Sequence, residues 1–73
     1  MDKTTWMSTF DEFYHQCYLF WKRQGCVDCI ATEKALQETL NLKTNPYSPN
    51  GEAVDKKLLQ EWYNNRNIYN YEH

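Results

Sequence analysis

Trp6-Met7-Ser8-Thr9-Phe10-Asp11-Glu12-Phe13-Tyr14-His15-Gln16-Cys17-Tyr18-Leu19-Phe20-Trp21 is the stretch whose reading decides the fold. At about 100° per residue, Trp6, Phe10, Phe13, Cys17 and Trp21 cluster around one direction of a helix. Met7, Tyr14 and Tyr18 flank that line on one edge, Leu19 and Phe20 on the other. Ser8, Asp11, Glu12, His15, Gln16, Lys22 and Arg23 take the opposite half. Seven of the chain's twelve aromatic residues stand in its first 24 positions. A face this wide needs a large partner surface, so it predicts both core and contact area. Phe13, mid-arc and mid-helix, is expected in the core.

The helix is expected from near Thr5 or Ser8 to Gln24. Ser8-Thr9-Phe10-Asp11 fits a capping box, and Asp11 with Glu12 suits the positive end of the helix dipole. Lys22 and Arg23 suit the last turn, and Gly25 can take the left-handed conformation that stops it. Asp28 is a good N-cap for a second helix ending around Leu40-Asn41. There Cys29, Leu36 and Leu40 line a narrow apolar face with Ile30 beside it, and Glu33 interrupts the stripe. Ala31, Lys34, Ala35 and Glu38 occupy the remainder.

Lys43-Thr44-Asn45-Pro46-Tyr47-Ser48-Pro49-Asn50-Gly51 carries strong turn chemistry and reads as a loop. A third helix is expected from about Glu52 to Asn65, with Val54, Leu58, Leu59, Trp62 and Tyr63 on its apolar face. Residues 66–73 could extend it, lie along the bundle or fray. The fold class is therefore all-α: one domain over residues 1–73, three helices, the first central and aromatic-rich, with a Pro-containing loop before the third.

Seventy-three residues give a core that is only marginally sufficient, so a partner or a second copy would add stability. The chain is 41% hydrophobic and 25% charged, which argues against wholesale disorder. Its net charge of −2, with Lys and Arg dispersed among acids, argues against nucleic acid, whose binders usually carry a basic face. The longest unbroken apolar run, Tyr18-Leu19-Phe20-Trp21, is too short to span a membrane. Met1-Asp2-Lys3-Thr4-Thr5 leads into an amphipathic segment, so no secretory leader is expected. Three cysteines without secretory context suggest reduced thiols and a cytoplasmic setting.

Cys26-Val27-Asp28-Cys29 is the sharpest chemical motif. Thiols at a helix start gain thiolate character, which would make Cys26 an attacking thiol and Cys29 a resolving one. Redox sites of this type sit in a βαβ context, and no strand is expected before this motif. For zinc, His15 and Cys17 are two apart and point about 200° from each other on a helix, which separates them. A site of Cys17, Cys26, Cys29 and His73 is the remaining metal arrangement. His15, one turn after Asp11, reads as an exposed residue. No P-loop or dinucleotide fingerprint is present. The assignments are accordingly no catalytic residue, no metal and no cofactor.

Helix one, the turn and helix two could also form a helix-turn-helix, with Thr32, Lys34 and Gln37 outward. Outward Glu33 and Glu38 oppose that reading. The function expected is a non-catalytic protein-protein interaction module, binding another protein through tyrosine-rich edges or a second copy through a homodimer of helix-one faces. Tyr14, Tyr18, Trp21 and Tyr47 are its expected partner-binding residues. The Asn-, Tyr- and Ile-rich tail, favoured by AT-rich codons, suits a phage or mobile-element accessory protein acting as a stoichiometric inhibitor or adaptor. A small DNA-binding regulator is the alternative, and a thiol-redox or zinc-stabilised protein the third.

Overall fold

Asp2, not Ser8, opens the first helix. From extended backbone its carboxylate accepts the Thr5 amide at 2.8 Å, and the Trp6 amide donates to the Asp2 carbonyl at 3.0 Å. The Thr5 hydrogen bond holds the Asp2 carboxyl below its usual range. In this computed structural model, which describes residues 2–71 and side chains through Arg66, α1 spans Lys3–Arg23. Asp11 and Glu12 therefore lie well inside the helix and do not complement its dipole. The Ser8 capping box is overturned because an equally good acceptor stands one and a half turns earlier.

The other end of α1 closes as expected. Gly25 has φ +93°, its amide donates to the Lys22 carbonyl, and the Cys26 amide donates to the Trp21 carbonyl at 3.1 Å. That pair of bonds is a Schellman motif.

The second helix, α2, spans Asp28–Leu40; Val27 occupies the N-cap without a side-chain bond, and Asp28 lies in the first turn. Its buried face is Ala31, Ala35 and Thr39, not Cys29, Leu36 and Leu40. Cys29 and Ile30 are exposed, while Leu36 and Leu40 pack only partly against the core. Small side chains at four-residue spacing let two helix axes approach, and close approach restores the dispersion contacts that bulk would otherwise supply. Thr39 avoids an unpaired buried hydroxyl by donating to the Ala35 carbonyl at 2.8 Å.

The Pro-containing loop is tied along its length. Thr44 and Ala53 form an antiparallel bridge, the Asn45 amide donates to Glu52 at 2.7 Å, and the Val54 amide donates to Lys43 at 3.0 Å. Buried Asn45 accepts the Tyr47 amide at 2.8 Å, an Asx-type turn. This pairing overturns a helix start at Glu52, because residues 52–54 are held extended against residues 43–45. Helix α3 spans Lys56–Tyr71, with Asp55 accepting the Lys57 and Leu58 amides at its start. It also continues beyond the Asn65 stop expected from propensity. Residues 72–73, part of the 66–73 segment left open above, lie outside the described residues.

The core comprises Trp6 and Phe10 of α1, Val54 of the loop, and Leu59 and Trp62 of α3. Trp6 and Phe10 stack at 5.4 Å, and Trp62 meets Phe10 edge-on at 6.1 Å. Phe13 is only half-buried. The core gathers on the amino-terminal half of α1 because α3 and Val54 pack there. Phe10→Ala should therefore lower stability by about 3–5 kcal/mol, and Phe13→Ala clearly less, in urea denaturation. Equal losses would return Phe13 to the core.

Candidate functional site

The carboxyl-terminal half of α1 meets α2 through polar contacts. Tyr18 donates its hydroxyl to Asp28 Oδ1 at 2.9 Å, and Lys22 Nζ lies 2.6 Å from the same oxygen. These hydrogen bonds hold the Asp28 carboxyl below its usual range and push Tyr18 and Lys22 up. Asp28 and Lys22 are exposed and Tyr18 is half-buried, so the brace orients the two helices more than it stabilises them.

One turn further, Trp21 joins the helices from the other side of the seam. Its indole N–H donates to Glu38 Oε2 at 3.1 Å, Lys34 Nζ lies 4.7 Å above its ring, and Phe20 meets it edge-on at 5.0 Å. Trp21 and the α2 residues Ile30, Glu33, Lys34, Gln37 and Glu38 line an open groove of about 470 Å³. Beside the groove and in the turn that leads to it, three large apolar side chains face water: Phe20 is 50% exposed, Ile30 41% and Val27 61%. This cluster is the candidate site.

The four tyrosine and tryptophan positions expected at an interface separate in the fold. Trp21 lines the groove. Tyr18 borders the turn, with its hydroxyl committed to Asp28. Tyr14 is half-buried at the core, edge-on to Trp62 at 5.9 Å and 4.0 Å beneath the Arg66 guanidinium. Tyr47 is exposed in a different depression, lined by Thr5, Ser8, Thr9 and Glu12. Partial burial, with Glu12 second, pushes its hydroxyl up.

Sequence reasoning placed Phe20 at an edge of the arc but did not single out Val27 and Ile30 as exposed apolar residues. The Ala31–Ala35–Thr39 spacing was the available signal, since a buried small-residue stripe turns Ile30 outward. Nothing in the sequence singled out Val27.

The thiols fall into two environments. Cys17 is half-buried beside Glu38, and burial first, with the Glu38 carboxylate second, pushes it up to about 12. Cys26 is half-buried and Cys29 exposed, both as free thiols. Among the described residues no three His, Cys, Asp or Glu side chains gather as a metal site. His73 lies outside the described residues, and His15 is exposed. On α2, Gln37 faces outward, Lys34 is drawn over Trp21, and Thr32 is half-buried rather than outward. Among the described residues no helix is long and apolar enough to cross a membrane. No protein-family model, curated protein or solved structure matches the chain.

The Cys17 environment has a measurable consequence. Its thiol value lies far above neutral pH, so Cys17 stays protonated and should resist iodoacetamide at pH 8 while Cys29 is alkylated in the folded protein. Glu38→Gln removes only the smaller cause and should raise Cys17 labelling modestly. Mass spectrometry reads both, and rapid wild-type Cys17 labelling would contradict the placement.

Proposed function

We propose that the chain is a non-catalytic protein-protein interaction module that binds through the groove at the α1–α2 end. The observation that carries this reading is the gathering of exposed Phe20 and Ile30 around half-buried Trp21. Apolar side chains brought together at the surface are unfavourably hydrated, and covering them releases free energy at roughly 25 cal/mol per Å². Trp21 suits the centre of such a contact. Its ring is held by the Glu38 hydrogen bond and the Lys34 ammonium, so little rotamer freedom remains to be lost on binding.

Glu33 and Glu38 in the groove and the net charge of −2 favour a protein over a phosphate backbone. A role as a stoichiometric inhibitor or adaptor, of the kind carried by phage and other mobile elements, is compatible with this size and surface. Tyr47, in its separate depression, is a second contact position under the same proposal.

Ile30→Glu should abolish capture of the cognate protein from source cells while leaving the helical circular dichroism signal and thermal midpoint near wild type. Binding by the wild type should fall far less steeply with added salt than binding to a phosphate backbone would. Retained capture by Ile30→Glu would remove the groove from the interface, and steeply salt-dependent DNA binding would replace the reading.

A further inference from the structure

We infer that the occupant of the groove is a second copy of this chain, with the two α2 helices antiparallel across a two-fold axis between Glu33 and Lys34. The inference rests on the proposed interaction surface and names its partner.

A two-fold contact requires a patch complementary to itself. Ile30, Glu33, Lys34 and Gln37 fall within one outward arc of α2 at helical spacing. Glu33 and Lys34 are adjacent and opposite in sign. Reversing one helix about their midpoint places Glu33 opposite the second copy's Lys34, and Lys34 opposite its Glu33. Two equivalent ion pairs result. The same operation sets Ile30 against the aliphatic stem of the second copy's Gln37, twice, and covers an aliphatic side chain that is otherwise 41% exposed.

The groove is prepared for this geometry. Among the described residues Glu33 makes no ion pair, so its carboxylate is available. Lys34 is held over the Trp21 ring, a contact that leaves ammonium N–H donors for a carboxylate. Glu38, the other acid in the groove, is engaged through one carboxylate oxygen by the Trp21 indole. A one-helix contact is below the size of an obligate interface, so the dimer is in exchange with monomer.

The test is charge exchange, read by sedimentation equilibrium of the full chain across a concentration series. The wild type should pass from monomer to dimer. Glu33→Lys and Lys34→Glu should each weaken self-association by roughly tenfold or more, because each homodimer sets two pairs of like charges face to face. An equimolar mixture of the two variants should restore the dimer as a heterodimer, since both pairs are then attractive. Lys34→Arg keeps charge and stacking and should dimerise as the wild type does.

A wild type that stays monomeric throughout overturns the inference, as does a mixture no better associated than its components. The two proposals fail separately. Should Ile30→Glu lose a captured heterologous protein while the wild type remains monomeric, the interaction surface stands and self-pairing falls.

Discussion

Trp62 joins the third helix to the first. Its ring meets Phe10 at 6.1 Å and Tyr14 at 5.9 Å, both edge-on, and its indole N–H donates to Asp11 Oδ1 at 2.7 Å. A buried indole N–H without an acceptor costs about 1–3 kcal/mol, and a largely exposed α1 carboxylate supplies the acceptor. One turn along, the Arg66 guanidinium lies over Tyr14 and Trp62 and within 3.6 Å of the same Asp11 oxygen. Arg66 Nε is buried without a hydrogen-bond partner among the described residues. The two aromatic contacts and Asp11 offset that loss. Asp11 thus ties α1 to α3, a more specific task than complementing a helix dipole.

This attachment divides α1 into two working halves. The amino-terminal half spends Trp6, Phe10 and Tyr14 on the core, because α3 and Val54 reach it there. The carboxyl-terminal half is tied to α2 by the Tyr18, Lys22 and Trp21 side-chain contacts, while α2 buries Ala31, Ala35 and Thr39. With Ala31, Ala35 and Thr39 inward, Ile30 falls on another side of α2 and is exposed, as Phe20 is on α1, beside half-buried Trp21.

Strong local signals were legible in the sequence. The aromatic arc marked α1 as central, Gly25 marked its stop, and the two prolines marked the loop before the third helix. Outcomes that depend on competing local solutions were not. Ser8 and Asp2 are both competent caps, and Asp2 closes the turn nearer the chain start. Leu36 and Leu40 are more apolar than Ala31 and Ala35, yet helix approach rewards small size over hydrophobicity. The α3 start was obscured because Val54 is core from an extended strand position, and a single apolar residue carries no period. Of the site, Trp21 was legible from its place on the aromatic arc. Ile30 was not, since its exposure follows from which α2 face is buried.

Tyr14 and Tyr18 are engaged within the chain, whereas Phe20 is exposed. A tyrosine on a helix edge is a reasonable contact residue in a sequence, because it tolerates water and binds well when covered. Here the chain supplies its own partners for Tyr14 and Tyr18: an arginine and an indole for one ring, a carboxylate for the other hydroxyl. Phe20, Val27 and Ile30 have no polar atom through which a neighbour could engage them, and the packing of α2 leaves them in water. Unmet apolar area therefore accumulates where the chain has finished satisfying its polar groups. Under the proposed function a partner would cover that area, with Glu33 and Lys34 beside it.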